Sequence, residues 1–379
     1  MIDDLDKPIH IDDLASQMLQ RIEIEGDRDP RRRTLISTIL TRLMRSAKAR
    51  DQAKIFLSEE KRAILRFEAI DGQRGELGNN GILAGALCGT TSYSDGNIVV
   101  TLHETYLTAD INWSTSELPA VLCHELFGHG IWLARAAQKN AYQAVHHHDL
   151  SEINARITGW ISELELNGRI ARETDVQRYL ADSQAYVADL KLLNSYYAMT
   201  FSSAEMMEPE KTLTLRLDLA RKKRDGLGRS LQNNRSWIPA IDHFVQHHDI
   251  AAGAFMTLRG QILAADRYFQ EQLKCIDEIV ACIQETLTRF ESEKDAASAR
   301  YLKWAASCPL VVELRDAVNA GEAQLRALLK ENLEPIAAMS RPSIQRGSSD
   351  SPGQITFEAL RAMYDRDRSL NPQHWQIVR

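Results

Sequence analysis

Residues 121–130 of this chain are Val121-Leu122-Cys123-His124-Glu125-Leu126-Phe127-Gly128-His129-Gly130. Its histidines stand at positions 124 and 129 and flank a glutamate, so the pattern is H-E-x-x-x-H. On a regular α-helix this spacing leaves the two imidazoles about 140° apart. Both can face one metal ion only if the helix takes up an extra residue in a widened π-turn, a feature found mostly at functional sites. Gly128 has the backbone freedom that such a turn requires.

The residues around this motif are apolar and nearly uncharged. Within Ala120–Leu133 the only acidic or basic residues are Glu125 and the two histidines, so we expect a buried helix. A buried carboxylate without a partner is costly, and a bound cation removes that cost. The sequence therefore predicts one Zn²⁺ per chain, bound by His124 and His129, with Glu125 as the catalytic residue beside it.

A catalytic zinc site needs a third protein ligand and an open position for water. Glu152 is the preferred candidate, because it lies at the start of a predicted helix and the small Ala155 after it permits close approach. Three alternatives stay open: a helix-dipole role for Glu152, ligation by one of the histidines at 146–148, or ligation by the upstream Cys88. With a cysteine ligand the site would resemble that of peptide deformylases, which combine an upstream cysteine with a helical zinc motif. This chain differs from them in the spacing of its histidines and in the residues around the cysteine.

Two short motifs carry a further resemblance. The stretch 124–129, His-Glu-Leu-Phe-Gly-His, resembles the H-E-L-L-G-H of the dipeptidyl peptidase III family, and 151–156, Ser-Glu-Ile-Asn-Ala-Arg, is loosely similar to its E-E-C-R-A-E. The short connection between them is closer to the microtubule-associated tyrosine carboxypeptidases, another H-E-x-x-x-H group. The resemblance implies a gluzincin-like metallopeptidase in which both histidines and Glu152 bind zinc and Glu125 is the general base or acid. Because the resemblance is limited to these two motifs, we do not infer from it that this chain releases dipeptides.

The predicted reaction is hydrolysis of a peptide bond by metal-activated water. Zinc lowers the pKa of bound water toward 7, Glu125 takes the proton, and the hydroxide attacks the carbonyl. An extended substrate is expected to pair with an edge strand at Gly96–His103. Arg156, one turn after Glu152, is expected to hold a substrate carboxylate, to orient a ligand, or to form an ordinary helix salt bridge. Oxyanion stabilisation is expected from one of five residues that the sequence does not rank: His147, His148, Tyr142, Tyr196 and Tyr197.

A β-hairpin is expected ahead of the metal motif. Ser94-Asp95-Gly96-Asn97 has the composition of a tight turn. It separates Leu87–Tyr93 from Ile98–His103, in which apolar residues alternate as in a strand buried on one face. This hairpin would provide the edge strand for the substrate.

Capping residues define two helices around the metal ligands. The first is expected to start near Ser114–Glu117, with Pro119 in its first turn, and to run to about Gln138. The second is expected to run from about Ser151 to Asn167-Gly168, where the glycine ends it. The metal motif would then lie inside the first helix and Glu152 at the start of the second.

The composition limits the class of protein. The 379 residues are 44% hydrophobic and 26% charged, as in globular chains with a substantial core. A net charge of -6 argues against a nucleic-acid binder. We expect no integral membrane segment and no signal peptide, because no stretch has the apolar length of a spanning helix and the first residues lack a basic and then an apolar region. Its five scattered cysteines suit reduced thiols, so a cytoplasmic location is expected, or delivery by a specialised secretion system.

Changes in composition predict four segments. These are an N-terminal helical segment at 1–50, a zincin-like catalytic domain at 51–203, a helical hairpin or coiled coil at 204–339, and a linker with a tail at 340–379. Within the first segment, 31–50 has the pattern of a basic amphipathic helix. The expected fold class is α+β, mostly α, with a small mixed or antiparallel sheet followed by an all-α coiled-coil arm.

The arm is predicted from a sustained heptad pattern. Apolar residues recur at three- and four-residue steps from Phe255 to Phe290, and a partner helix is expected at 311–336. We expect the arm to confine a protein or peptide substrate or to bind a protein partner. The alternative function is a non-enzymatic scaffold or interaction protein with a structural or decayed zinc site. Glu125 distinguishes the two, because a structural site does not require it.

Overall fold

The computed structural model describes residues 11–26, 30–68, 89–108, 111–192, 195–247 and 252–339. Most of these residues are helical and four strands form one sheet, which confirms the expected α+β, mostly α, class. Cys88 and the segment 340–379 lie outside the described residues, so the predictions made for them have no structural counterpart.

The elements follow one another along the chain in three groups. The first group is α1 (Ile11–Gln20), β1 (Ile22–Ile24), α2 (Pro30–Leu43), α3 (Ala47–Ser58), β2 (Ala63–Glu68), β3 (Gly89–Ser94), β4 (Asn97–His103) and α4 (Thr105–Thr108). The second is α5 (Ile111–Leu122), a π-helix (Cys123–Gly130), α6 (Ile131–Gln138), α7 (Tyr142–His146) and α8 (Asp149–Asn167). The third is α9 (Glu173–Ala181), α10 (Ser183–Lys191), α11 (Ser195–Ala198), α12 (Ser203–Met207), α13 (Pro209–His247), α14 (Ala252–Phe290), α15 (Glu293–Ala305) and α16 (Pro309–Met339).

The sheet is mixed, with strand order β1-β2-β4-β3. β2 pairs in parallel with β1 and with β4, and β3 pairs antiparallel with β4. The predicted hairpin is confirmed: Asp95 and Gly96 join β3 to β4, and both have positive φ angles, 51° and 82°. Such a turn matches the twist of the strands that flank it.

The prediction that Gly96–His103 is an edge strand is wrong. β4 lies inside the sheet because β2 pairs with its other side, from Ala63 opposite Ile98 to Glu68 opposite His103. Among the described strands, β3 is the outer one at this end of the sheet. The edge next to the metal motif is therefore the first strand of the hairpin.

The basic amphipathic segment at 31–50 forms two helices instead of one. Its apolar stripe is buried, as expected, in a core shared with the sheet and the π-helix. The residues of that stripe are Leu35, Ile36, Ile39, Leu40, Leu43 and Met44. The break comes at Ser46, whose side chain accepts a hydrogen bond from the backbone N–H of Ala49 and so caps α3.

The described residues form two compact units. Apart from the gaps given above, the first contains 11–191, 199–212 and 288–339, and the second contains 192–198 and 213–287. These units do not coincide with the four segments expected from composition. β1 belongs to the same sheet as β2, and α15 and α16 belong to the first unit.

In the second unit, α13 and α14 form an antiparallel pair. Their apolar contact includes Phe244 and Phe255, whose rings stack with centroids 5.1 Å apart. Ion pairs define the register along the two helices: Arg224–Asp277 at 2.8 Å, Arg235–Asp266 at 3.2 Å and Arg259–Asp242 at 2.7 Å. The expected pairing of α14 with 311–336 is therefore wrong, and the partner of α14 is the helix that precedes it.

α16 packs against α8 in the first unit. Val318 and Leu325 of α16 share a core with Ile157 and Ile161 of α8. Gly321 lets the helices approach closely, because a Cβ there would lie 2.9 Å from Cγ2 of Ile157. The helix that carries Glu152 is thus supported along its length by the last described helix.

No helix in the described part of the chain is long and apolar enough to cross a membrane.

Candidate metal centre

The π-helix forms where the histidine spacing requires it. It spans Cys123–Gly130 and continues directly from α5 into α6, which confirms the predicted widened turn. The imidazoles of His124 and His129 come together with ring centroids 5.0 Å apart at an interplanar angle of 78°. The helix begins at Ile111, earlier than predicted, so Pro119 lies in its interior and not in its first turn.

The π-helix and α8 cross at close range. A Cβ at Gly128 would lie 2.4 Å from Cα of Ala155, so only glycine fits at this crossing. Asn154 Nδ2 donates a hydrogen bond of 2.8 Å to the carbonyl of Gly128. α8 starts at Asp149, close to the expected residue, and ends as predicted at Gly168, which has a left-handed φ of 66°.

This crossing brings three metal-ligating side chains to one point. Ligand atoms of His124, His129 and Glu152 all lie within 4.8 Å of one another. Glu152 Oε2 is 3.2 Å from His129 Nε2 and 3.9 Å from His124 Nε2. Two imidazole nitrogens and one carboxylate oxygen are a donor set that suits a catalytic divalent metal such as zinc. The geometry thus brings together the three ligands predicted from sequence.

The histidines are also held by groups of α8. Ser151 Oγ lies 3.0 Å from His129 Nδ1, and His124 packs on Gly159, where an added Cβ would lie 3.3 Å from Cβ of His124. A hydrogen bond to one ring nitrogen fixes the tautomer and orients the other nitrogen toward a metal. Sequence reasoning missed Ser151, because a serine at a helix start is expected in any case as a capping residue.

Arg156 holds the carboxylate ligand. Its Nε donates a hydrogen bond of 2.6 Å to Glu152 Oε1, and its Nη1 donates one of 2.9 Å to the hydroxyl of Tyr186. Oε1 of Glu152 is therefore engaged, and Oε2 is the oxygen that faces both histidines. Of the roles predicted for Arg156, these contacts fit a helix salt bridge that also orients Glu152.

The electrostatics of the site favour a cation. Burial lowers the pKa of His124 to about 3, which keeps its imidazole neutral. Burial alone would raise the pKa of Glu152, but Arg156 and the two histidines hold it below its ordinary range. Burial alone would lower the pKa of His129, as it does for His124. The hydrogen bond between His129 and Glu152 outweighs burial and raises the pKa of His129. A metal ion needs neutral imidazoles and an ionised carboxylate, and it would replace the direct contact between His129 and Glu152.

Glu125 lies beside the three ligands. Its side chain is buried, and Oε1 is 3.9 Å from His124 Nε2. Burial raises the pKa of this carboxyl. Thr91 on β3 donates a hydrogen bond of 2.6 Å to Oε2, a contact that the sequence did not reveal. A carboxylate in this position can exchange a proton with a group at the metal.

The candidates for oxyanion stabilisation are dispersed. His148 caps α8, with Nδ1 accepting from the backbone N–H of Leu150 and Nε2 lying 3.1 Å from Ser203 Oγ. Both of its ring nitrogens are thus engaged in holding the helix start. Tyr197 belongs to the second compact unit, and the side chain of Tyr196 lies outside the described residues.

α7 carries the remaining candidates. Tyr142 stacks on His146 with ring centroids 5.3 Å apart. His147 meets His146 edge to face, with centroids 4.8 Å apart. Burial, with His147 and then His129 adding to it, lowers the pKa of His146 to about 4. From the sequence, His146 is considered only as a possible metal ligand. In the structure, the charge of His129 contributes to the lowered pKa of His146.

Cys123, next to the first ligand, has a structural position. It is fully buried, and burial raises the pKa of its thiol to about 12. A thiol that stays protonated is a poor nucleophile. The reactive groups of the site are therefore the carboxylates and imidazoles.

Comparisons with known proteins do not assign a family. No family model matches the chain, and no curated protein or solved structure matches it either. The chemistry of the site therefore has to be argued from its own residues.

We predict that Gly128→Ala destabilises the protein, because the new methyl group overlaps Ala155 at the helix crossing. The cost expected for such overpacking is about 1–3 kcal/mol, measured by denaturant unfolding. Gly226→Ala is the control, since a Cβ there meets nothing within 4 Å. Equal unfolding free energies for Gly128→Ala and the unchanged protein would show that the crossing is not as close as described.

We predict that Arg156→Gln lowers zinc affinity about 10–100-fold, because Glu152 loses the partner that holds Oε1. The measurement is zinc competition against a chromogenic chelator. Arg178→Gln is the matched control, because Arg178 also lies over the ring of Tyr186, at 5.8 Å, but pairs with Asp189. The prediction fails if both variants bind zinc as the unchanged protein does.

Proposed function

We propose that this chain is a zinc-dependent peptidase that hydrolyses a peptide bond of a protein or peptide substrate. One observation carries the proposal: a buried carboxylate, Glu125, lies beside three clustered metal-ligating side chains without being one of them. A structural zinc site has no use for such a group. The i,i+5 histidine spacing supports the same conclusion, because the helix is locally widened to bring the ligands together.

His124, His129 and Glu152 would hold the zinc. When bound, zinc supplies Lewis-acid chemistry, polarising the substrate carbonyl and lowering the pKa of water. Glu125 accepts the proton of the attacking water at its carboxylate and later delivers that proton to the leaving amine. Arg156 and Ser151 keep the ligands in place. Water enters the products as the hydroxyl of the new carboxyl group and the proton of the new amine.

An extended peptide would bind along β3. Among the described strands β3 is the outer one at this end of the sheet, and its Thr91 side chain contacts Glu125 directly. Main-chain pairing with a strand edge aligns a substrate without requiring a particular side chain. The sequence had indicated β4 as the strand that pairs with the substrate, and in this proposal β3 takes that role.

A scaffold function is the second candidate, and one observation favours it. The α13–α14 pair exposes large apolar side chains that its own contact does not use: Leu215, Leu219, Met256 and Tyr268. Apolar side chains exposed on a helical pair can add contacts to a protein partner where they come together in one patch. This function leaves the buried Glu125 beside the ligands without a role, and for that reason we prefer the peptidase.

We predict that the protein binds one zinc per chain and that His129→Ala does not. His129 supplies one of the three ligand atoms, and its removal leaves Glu152 and His124 alone at the site. Elemental analysis after dialysis gives the stoichiometry. His243→Ala, in the second unit, is the control and should keep one zinc. Full zinc content in His129→Ala would exclude the proposed ligand set.

We predict that Glu125→Gln keeps its zinc and its fold but loses hydrolysis by about 10²–10⁴-fold, because the amide cannot take the proton from water. The assay is cleavage of a fluorescence-quenched peptide library by the zinc-loaded protein. Glu104→Gln, an exposed glutamate that follows β4, is the control. Unchanged turnover in Glu125→Gln would remove this residue from the mechanism.

A further inference from the structure

β3 has one face toward the metal centre and one toward solvent. Thr90, Ser92 and Ser94 are exposed, while Gly89, Thr91 and Tyr93 alternate with them. Gly89 and Thr91 both reach Glu125. The strand therefore contacts the proposed general base at two successive positions of one face.

The hydroxyl of Thr91 contacts Glu125 twice. Oγ1 lies 2.6 Å from the carboxylate oxygen Oε2 and 3.1 Å from the backbone carbonyl oxygen. An ionised carboxylate and a carbonyl only accept hydrogen bonds, and the hydroxyl has a single proton, so the shorter contact, to Oε2, is the hydrogen bond that the threonine donates. Because Oε2 is engaged, Oε1 is the oxygen that remains on the side of His124, 3.9 Å from its Nε2.

Gly89 closes the other side of the same carboxylate. A Cβ at this position would lie 3.0 Å from Glu125 Cγ and 3.1 Å from Oε1. The strand backbone therefore packs directly on the glutamate side chain. Between this wall and the hydroxyl of Thr91, the carboxylate is held in one orientation.

The backbone of Thr91 points to the outer edge of the sheet. Ser94 and Asn97 flank a two-residue turn with positive φ angles, and in such hairpins the flanking pair is hydrogen bonded. Bonded and non-bonded pairs alternate along an antiparallel ladder. Thr91, opposite Val100, therefore falls on a non-bonded position, with its N–H and C=O directed away from β4.

We propose that Thr91 is the positioning residue that aligns both reactants of the proposed hydrolysis. Its side chain holds Glu125 Oε2, so that Oε1 receives the proton of the attacking water. Its backbone N–H and C=O pair with the main chain of an extended peptide laid along β3. Thr91 keeps its own proton throughout, and the proton taken by Oε1 passes to the leaving amine. This inference rests on the proposed peptidase function.

The test compares three variants of the zinc-loaded full chain. Thr91→Val keeps the shape but removes the donor, Thr91→Ser restores the donor, and Thr90→Val alters the neighbouring threonine on the solvent face. A peptide cleaved by the unchanged protein is selected from a fluorescence-quenched library, and kcat and KM are measured separately.

We expect kcat of Thr91→Val to fall about 10–10²-fold, because a hydrogen bond to a charged group contributes about 1.5–3 kcal/mol. KM should change by less than about 3-fold, because the peptide pairs with the main chain of β3, as in strand addition, and that backbone is unchanged. Thr91→Ser should recover kcat to within about 3-fold, and Thr90→Val should match the unchanged protein. Equal kcat in Thr91→Val and Thr90→Val would overturn the proposal.

A second measurement separates failure of this inference from failure of the proposed function. Crystal structures of the zinc-loaded unchanged protein and of Thr91→Val show the orientation of the Glu125 carboxylate directly, whether or not a peptide is cleaved. Rotation of the carboxylate in Thr91→Val supports the positioning role, and the same orientation in both proteins overturns it. A zinc-loaded protein that cleaves no library peptide counts against the peptidase function alone.

Discussion

The site depends on the extra residue between His124 and His129. A regular α-helix cannot direct side chains at this spacing to one metal ion, so the backbone widens into a π-helix at Cys123–Gly130. The widened helix still has to meet the third ligand on α8. It does so because Gly128 has no side chain at the crossing and Ala155 has a small one. The ligand geometry is therefore set by backbone packing.

Charge accounts for the arrangement around this crossing. Two carboxylates, Glu125 and Glu152, are buried within a few ångströms of two imidazoles. Arg156 pairs directly with Glu152, through the oxygen that does not face the histidines. A bound cation would compensate the remaining charge, since buried carboxylates without partners are costly. The donor types, and the second carboxylate held apart from them by Thr91, fit a hydrolytic zinc centre.

The sequence predicted the features that depend on local spacing. Counting residues from His124 to His129 indicated the π-turn, and turn residues located the β3–β4 hairpin. Features that depend on distant contacts were not predictable in this way. The heptad pattern of α14 shows that this helix needs a partner, but it does not identify α13 as that partner. The sequence of β2 is short, and it does not indicate that this strand pairs with the other side of β4. Thr91 gave no signal, because its role depends on which face of β3 meets Glu125.

The most direct test of this account is an anomalous difference map at the zinc absorption edge, from crystals of the full chain grown with zinc. We expect one peak per chain, about 2.0–2.2 Å from His124 Nε2, His129 Nε2 and Glu152 Oε2, with a non-protein fourth ligand on the side of Glu125. A peak at other residues, or one at these residues in which Glu125 completes the coordination, would contradict it.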